Sequence, residues 1–198
     1  KTGLDIASGS GILSLMLAQK HQSIEVIGLE IELNAFEESN YNFKNSQWLK
    51  RLKAVNLPLQ KFNPEVKFDC IISNPPYFEN SLKNEDDNKK TARHTDTLSF
   101  QELIRFVENS ISLNGNFSLI LPLKESEMFR GIILKSSLYL NRIAFIKPNE
   151  NKSVNRVMMT FSKAKNELEE ETFCVYKSQG IYSDRHQELT RDFYLSKK

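Results

Sequence analysis

Short apolar segments rich in β-branched residues alternate with helical segments along the first three quarters of the chain. This alternation is typical of successive strand–helix–strand units, and it predicts an α/β domain with a mostly parallel sheet. The segments that we expect to form strands are 3–7, 24–30, 52–57, 68–74, 117–121, 143–147 and 157–162. A further segment, 172–176, is compatible with an edge strand.

One apolar stripe has helical spacing and is expected to pack on this sheet. It consists of Phe100, Leu103, Ile104, Val107 and Ile111. Ser99 and Glu102 form the Ser-x-x-Glu pattern of a capping box just before it. The segment 12–20 is apolar nearly all round, which predicts a helix packed closely against the sheet, and 189–194 predicts a last amphipathic helix.

The length of 198 residues favours one globular domain spanning 1–198, since a domain averages about 150 residues. A strand follows Lys1 almost at once, so we expect further residues upstream. Apolar residues make up 39% and charged residues 26% of the chain, which excludes a disordered protein. The net charge of +2 permits a nucleic-acid partner without requiring one. The oligomeric state is not indicated.

The two cysteines, Cys70 and Cys174, are far apart, and the three histidines are scattered. This pattern favours neither a disulfide framework nor a metal site. No apolar run has the roughly 18 residues that a membrane span needs, and no leader pattern is present. We therefore expect a cytoplasmic protein with no membrane association and no obligatory metal.

The segment from Leu4 to Gly11 leaves the first predicted strand and enters the helix at 12–20. Gly9 and Gly11 allow positive φ and let a ligand approach bare backbone. Ser14 stands where a dinucleotide fingerprint has its third glycine, so the match is incomplete. A Gly-x-Gly of this kind is also found in tight turns that bind nothing.

Glu30 ends the next predicted strand, 19 residues after Gly11. A carboxylate there accepts hydrogen bonds from ribose hydroxyls, although it also suits the cap of a following helix. Asp5 lies before the turn, which favours a ligand that carries a cation over a pyrophosphate. S-adenosylmethionine combines an adenosine with an ammonium and a sulfonium, and it is the cofactor that we expect.

Asn74-Pro75-Pro76-Tyr77 directly follows the buried strand predicted at 68–74. Two prolines make a stiff exit whose carbonyl groups remain free to accept hydrogen bonds. The side-chain oxygen of Asn74 and the carbonyl of Pro75 then hold the two hydrogens of a flat amine, and direct its lone pair toward an electrophilic methyl group. Tyr77 offers a face on which an unpaired base stacks. The alternative is a rigid loop that carries a core aromatic residue.

Two polar segments, 80–96 and 148–155, are expected to be loops. Arg93 and His94 lie near the end of the first, whereas Lys147 and Arg156 flank the second. We interpret these residues as candidate RNA contacts. A solvated loop is the alternative at 80–96, because acidic residues offset much of its positive charge.

With both motifs, the chain resembles the class I S-adenosylmethionine-dependent methyltransferases, and within them the bacterial tRNA adenine-N(6)-methyltransferases that modify the adenine beside the anticodon of a valine tRNA. The residues that carry the resemblance are Asn74-Pro75-Pro76-Tyr77-Phe78, Ala92 to Ser99, Lys147-Pro148, Arg156 and Asp192-Phe193-Tyr194-Leu195. Together with the glycine turn at 4–11, they span nearly the whole chain.

The resemblance implies a Rossmann-like fold, with helices on both faces of a seven-stranded sheet whose last pair is antiparallel. It implies cofactor contacts from Asp5, Ala7, Gly9, Gly11, Glu30, Asn56 and Leu57. It implies that Asn74, Pro75, Pro76 and Tyr77 hold the reacting base, with Phe78 nearby. Two positions depart from the pattern: Ala7 replaces the first glycine of the turn, and Asn56-Leu57-Pro58 lacks the acidic residue usual near the cofactor's adenine.

Our first hypothesis is N(6)-methylation of an adenine in tRNA, with S-adenosylmethionine as the methyl donor. The second is methylation of a glutamine amide in a protein, because an amide nitrogen is also planar. Other exocyclic amines of RNA or DNA are lesser variants. A nucleotide-binding module without catalysis is the alternative outside the enzymes, and Asn74 and Tyr77 argue against it.

Overall fold

The computed structural model describes residues 1–75 and 98–194, and an eight-stranded sheet organises this part of the chain. Its strands are β1 (Thr2–Ile6), β2 (Glu25–Glu30), β3 (Leu52–Asn56), β4 (Phe68–Ser73), β5 (Ile111–Pro122), β6 (Tyr139–Lys147), β7 (Arg156–Ser162) and β8 (Glu169–Cys174). Their spatial order is β3-β2-β1-β4-β5-β7-β6-β8. A small hairpin of β9 (Tyr176–Ser178) and β10 (Ile181–Tyr182) follows β8.

All neighbouring strands of the sheet are parallel except β7, which runs antiparallel to β5 and to β6. Strands β1 to β6 and β8 therefore end at one side of the sheet, which we call the carboxyl edge, and β7 begins there. In open α/β sheets ligands bind at this edge. The topology therefore directs the search for a site to the residues that follow β1, β2 and β4.

Five helices occur in the described residues: α1 (Ile12–Lys20), α2 (Leu33–Lys44), α3 (Phe100–Ser110), α4 (Leu123–Ile133) and α5 (Asp184–Thr190). Leu4 and Ile6 of β1 belong to one hydrophobic cluster with residues of α3 and α4. Asp5, between them, points to α1 and accepts a hydrogen bond from Ser14. Successive side chains of a strand point to opposite faces of the sheet. Since Leu4 and Ile6 face α3 and α4 while Asp5 faces α1, helices cover both faces.

The core is densest where β5 and β7 meet α3 and α4, and aromatic rings fill it. Phe129 of α4 packs edge-on against Phe100, with ring centroids 5.2 Å apart. It also contacts Phe161 of β7 at 5.7 Å and Phe117 of β5 at 6.3 Å. All four rings are buried. This packing holds α3 and α4 on the sheet and leaves the carboxyl edge open for chemistry.

The α/β fold with a mostly parallel sheet that the sequence predicts is confirmed, with corrections in detail. The sheet has eight strands in place of the expected seven, because β8 adds a parallel edge strand beside β6. This strand covers Glu169–Cys174, so it begins before the expected 172–176. Strand β8 begins with three consecutive glutamates, which are poor strand formers, so the sequence pattern does not indicate where the strand starts. The helix expected at 189–194 is instead Asp184–Thr190. Two further helices complete the layers: α2, which the sequence indicates only as a helix after Glu30, and α4, which was not predicted.

Other local expectations are confirmed. Phe100, Leu103, Ile104 and Val107 of the predicted stripe are buried in α3, whereas Ile111, also buried, is the first residue of β5 because the helix ends at Ser110. The capping box is formed: the Ser99 hydroxyl accepts from the Glu102 amide, while the Glu102 carboxylate accepts from the Ser99 amide. The segment 148–155 joins β6 to β7 outside regular structure. The predicted loop at 80–96 lies outside the described residues. Within the described ranges, no helix has the length and apolar character that crossing a membrane requires.

Candidate active site

The turn between β1 and α1 holds three residues in the left-handed region of backbone space. They are Ala7 with φ 60°, Gly9 with φ 55° and Gly11 with φ 81°. Such a conformation is costly for an alanine, which has a Cβ, and free for glycine. Ala7 therefore keeps the backbone of the glycine that it replaces and carries strain there.

The two glycines have different surroundings. A Cβ on Gly11 would lie 2.4 Å from Cε1 of Phe43 and 3.1 Å from Cβ of Ser39. A Cβ on Gly9 would meet no atom of the described residues within 4 Å. Gly11 therefore lets α2 pack against the turn, whereas Gly9 leaves open space for a ligand.

Asp5 lies at the bottom of this turn and is fully buried. Its Oδ2 accepts a hydrogen bond of 2.8 Å from the Ser14 hydroxyl, and its Oδ1 has no hydrogen-bond partner among the described residues. Burial raises the pKa of Asp5 to about 6, against a smaller opposing effect of the Ser14 hydrogen bond. A carboxylate in this situation gains from a cationic ligand group.

Glu30 closes the other side of the turn, and backbone amides surround its carboxylate. The Gly9 amide donates to Oε2 at 2.8 Å, while the amides of Ile31 and Glu32 donate to Oε1 at 2.9 Å each. The cap of α2 is instead Glu32, whose carboxylate accepts from the amides at the helix start. The alternative that Glu30 caps the following helix is therefore wrong, and its contact with the Gly9 amide places it beside the glycine turn.

Asn56 and Leu57 follow β3, the next strand along the carboxyl edge. The Asn56 amide group donates to the carbonyl oxygens of Glu30 at 2.9 Å and Ile31 at 3.1 Å. It therefore fixes the end of β2 beside the pocket. Leu57 is 39% exposed, and so is available to an apolar ligand face.

Asn74 and Pro75 emerge directly beside the glycine turn. Ser73, the last residue of β4, is paired in register with Ile6, the last residue of β1. The Ser73 hydroxyl donates to the Ile6 carbonyl at 2.9 Å and ties the two strand ends together. Asn74 is exposed and Pro75 is buried. The corner therefore stands next to Ala7.

The remaining residues of that motif, Pro76, Tyr77 and Phe78, lie outside the described residues, as do Arg93 and His94. For these five positions the sequence-based interpretation stands as a prediction.

Lys147 and Arg156 both lie at the carboxyl edge, on the far side of β5 from the glycine turn. Arg156 begins β7 and pairs with Pro122 at the end of β5 and with Ile146 in β6. Lys147 is the last residue of β6, and its ammonium donates to the Glu150 carbonyl at 3.0 Å. The fold thus brings these separated cations to the edge that carries Asn74.

Comparison with known proteins decides the family. Residues 1–105 match the family described as the methyltransferase small domain. Two tRNA1(Val) (adenine(37)-N6)-methyltransferases cover 97% of this chain: that of Vibrio campbellii is 36% identical over 192 residues, or 80% of its own length, and that of Bacteroides fragilis is 37% identical over 195 residues, or 82%. This chain belongs to that methyltransferase family.

Solved structures agree on the fold of this family member. The crystal structure of a predicted O-methyltransferase from Agrobacterium tumefaciens has a TM-score of 0.74 over 96% of this chain and 88% of its own, at 15% identity. A ribosomal protein L11 methylase from Lactobacillus delbrueckii has a TM-score of 0.57 over 83% and 70%, at 12% identity. At these identities the likeness extends to the fold alone.

Sequence reasoning missed two serines of this methyltransferase pocket. Ser14 was noticed for the glycine that it replaces, yet it holds the Asp5 carboxylate. A polar residue in the first turn of an otherwise apolar helix is the signal that identifies it. Ser73 joins β4 to β1, and nothing in the local pattern marks that contact.

Proposed function

We propose that this chain transfers a methyl group from S-adenosylmethionine to the N6 nitrogen of an adenine in tRNA, at the position named in its relatives. The observation that carries the proposal is the in-register pairing of Ser73 with Ile6, which brings the Asn74 corner beside the glycine turn. A methyl donor in the turn and an amine at the corner are then neighbours. The relatives' shared name supplies the nucleotide.

The residues present fit S-adenosylmethionine. Gly9 leaves space for a ligand against bare backbone, and the buried Oδ1 of Asp5 lacks a partner in the described residues, as suits an ammonium group. Glu30 uses three of its roughly four lone-pair directions on backbone amides, which leaves one for a hydroxyl. We assign Asp5, Ala7, Gly9, Gly11 and Glu30 to this cofactor, with Asn56 and Leu57 on its adenine side.

The bound cofactor supplies a methyl group made electrophilic by its sulfonium. The chain's own task is to present an unreactive amine, whose lone pair is delocalised into the adenine ring. Asn74 Oδ1 and the Pro75 carbonyl each accept one amine hydrogen and so turn the lone pair toward the donor. The arrangement lowers the barrier by positioning and electrostatics, without a nucleophilic side chain.

The corner is built to be rigid. Pro75 is buried and its ring fixes φ, so its carbonyl does not have to reorganise during the reaction. The amide of Asn74 has no hydrogen-bond partner among the described residues, and it is exposed at the edge. From the sequence alone we assign Pro76 to the catalytic motif, and Tyr77 and Phe78 to contacts with the target base.

We assign binding of the RNA backbone to cationic side chains at the carboxyl edge. Lys147 and Arg156 lie at the carboxyl edge beyond β5, where strand spacings of about 4.8 Å place the β7 edge roughly 10 Å and the β6 edge roughly 14 Å from the end of β4. Arg93 and His94 are assigned to RNA from the sequence alone. Phosphate contacts of this kind set orientation and affinity, while the pocket selects the base. We place the reaction in the cytoplasm, where tRNA is modified.

A labelled-methyl transfer assay tests the proposal. The full chain is mixed with S-adenosylmethionine that carries a labelled methyl group and with one acceptor: valine tRNA, the same tRNA with guanine in place of the target adenine, bulk tRNA, other RNA, DNA or a release-factor protein. We expect label only in the first tRNA and in bulk tRNA, recovered as N6-methyladenosine by mass spectrometry.

Three results would overturn it. Label that enters only the protein acceptor supports the glutamine alternative, and label in the guanine-substituted tRNA means that another nucleotide is modified. Label in no acceptor, from a chain that binds S-adenosylmethionine in calorimetry, removes the assigned substrate.

A further inference from the structure

Four aromatic rings form a stack between the β9–β10 hairpin and α5. Tyr176 and Tyr182 are stacked with centroids 5.0 Å apart, and Tyr182 and His186 with centroids 4.4 Å apart. Tyr194 continues the series at 6.4 Å from His186. The planes of successive rings differ by only 15° to 20°. We call these four residues the ring column.

The ring column lies at the surface. Tyr176 and Tyr182 are each 37% exposed, and Tyr194 is 62% exposed. His186 is partly buried, and burial lowers its pKa, which favours the neutral form of the ring. Rings that serve only to pack the hairpin on α5 gain most free energy by being buried. Parallel rings left open to water are instead suited to receive another flat ring.

One end of the ring column is at the carboxyl edge. The Val175 amide donates to the Lys147 carbonyl and the Tyr176 amide to the Pro148 carbonyl, each at 2.9 Å. Tyr176 is therefore fixed beside the segment that follows β6. Tyr194 lies at the other end, next to residues that contact the C-terminal end of α1.

Cationic side chains lie between the Asn74 corner and Tyr176 along the carboxyl edge. The strands in order are β4, β5, β7, β6 and β8, so four spacings of about 4.8 Å place Tyr176 roughly 19 Å from Asn74. Arg156 and Lys147 lie at the intervening ends of β7 and β6. The exposed Lys177 follows Tyr176 and forms an ion pair with Asp184.

We propose that the ring column is a second RNA-binding element, on which an unpaired base of the tRNA substrate stacks at the Tyr176 end while the target adenine is held at Asn74. The inference rests on the proposed function and adds a distant contact to it. Parallel aromatic faces joined to the reacting corner by cations match an unpaired base and its phosphates. Every base has such a face, so the contact adds affinity and register more than sequence selectivity.

The first test follows stacking directly. A hairpin RNA with the sequence of the valine tRNA anticodon arm carries 2-aminopurine, a base whose fluorescence falls on stacking, at one unpaired position at a time. We expect at least one position other than the target to be quenched by the wild-type chain. The quench is lost in Tyr176→Leu and retained in Tyr176→Phe, because phenylalanine keeps the ring.

The second test compares kinetics. Tyr176→Leu raises the KM for tRNA about ten-fold, the scale of one lost base stack, while the KM for S-adenosylmethionine is unchanged. Tyr139→Ala is the matched control, because this 45% exposed tyrosine begins β6 at the opposite edge of the sheet. It should leave both constants unchanged. Thermal melting of each variant confirms that it is folded.

The results distinguish a failure of this inference from a failure of the proposed function. If tRNA is methylated but Tyr176→Leu keeps the quench and the KM of the wild-type chain, the ring column is structural only. An effect of Tyr194→Leu without one of Tyr176→Leu also contradicts the proposal, because it puts the base at the wrong end. If no tRNA is methylated at all, the proposed function itself fails.

Discussion

At the residue scale, the two carboxylates of the pocket are held in opposite ways. Asp5 is fully buried, has one hydroxyl donor and keeps an unpartnered oxygen in the described structure. Glu30 accepts from three backbone amides, which compensate its charge within the fold. Asp5 is therefore the carboxylate whose charge depends on what occupies the pocket, whereas Glu30 is part of the turn's framework.

The raised pKa of Asp5 predicts a pH-dependent stability. Its folded value of about 6 lies above the unfolded value of 3.8, so the folded chain binds the proton more tightly. The stabilisation is complete below about pH 4 and is lost as the pH rises through 6, by up to ~3 kcal/mol. Without cofactor, Asp5→Asn should be more stable than the wild-type chain at about pH 7.5, and should lose this advantage at about pH 4.5.

Denaturant unfolding at both pH values measures this effect. Asp69 gives a control of opposite sign, because the Thr2 amide and the Ser112 hydroxyl lower its pKa. Asp69→Asn should therefore be less stable than the wild-type chain at both pH values, because both lie above the ordinary pKa of 3.8. A difference between Asp5→Asn and the wild-type chain that does not change with pH would show that Asp5 keeps its charge throughout.

Asn74 makes a catalytic prediction. Asn74→Ala removes one of two acceptors for the amine hydrogens, and we expect turnover to fall by a factor of ~10²–10³, the scale of one preorganised polar group. Cofactor affinity, measured by calorimetry, should stay near that of the wild-type chain. Asn63→Ala, at another exposed asparagine, is the control and should leave turnover unchanged. A parallel loss of cofactor affinity in Asn74→Ala would assign the residue a structural role.

At the element scale, the two glycines of the unit from β1 to α1 have different roles, one in packing and one in the space left for a ligand. Gly11 permits close packing of Phe43, and Gly9 borders open space. The same motif thus serves the fold at one glycine and the ligand at the other. Ala7 shows that the unit accepts a Cβ in the left-handed region where the surroundings leave room.

The paired variants Gly9→Ala and Gly11→Ala test this division. Gly11→Ala combines backbone strain with a clash at 2.4 Å, so the free energy of unfolding should fall by about 3 kcal/mol or more. Gly9→Ala adds only strain of ~1–2 kcal/mol, but its methyl group occupies the ligand space and should weaken cofactor binding at least ten-fold. Denaturant unfolding and calorimetry measure the two effects. Equal stability losses with unchanged cofactor affinity in Gly9→Ala would place the ligand elsewhere.

At the scale of the whole molecule, the sheet gathers distant chemistry at one edge. The glycine turn, the Asn74 corner, Lys147 and Arg156 come from four different strand ends, and Tyr176 follows a fifth. With a net charge of only +2, the molecule has no general attraction for RNA. On the proposed function, the cations on this edge supply the attraction, which predicts a measurable salt dependence.

Each phosphate contact contributes a slope of roughly 0.7–0.9 to the dependence of log affinity on log salt concentration. Lys147→Gln should therefore weaken tRNA binding and reduce this slope by about one contact. Lys135→Gln is the control, since this exposed lysine follows α4, at the opposite edge of the sheet. Titrations of tRNA at several salt concentrations give both slopes. Identical slopes for Lys147→Gln and the wild-type chain would remove Lys147 from the interface.

Local patterns in the sequence determined the α/β class, most strands, the capping box of α3 and both motifs of the site. These features depend on short-range physics: apolar periodicity, glycine conformations and the fixed φ of proline. The start of β8 among glutamates escaped this reasoning, because its pairing with β6 outweighs local propensity.

The tertiary structure alone decided which strand ends meet. No local pattern encodes the pairing of Ser73 with Ile6 or the hydrogen bond between Asp5 and Ser14. The same holds for the separation of Asn74 from Tyr176 along the sheet. Strand order fixes these relations, and it results from long-range packing of the two helix layers on the sheet. The sequence therefore supplied the chemical groups, and the order of the strands arranged them into one site.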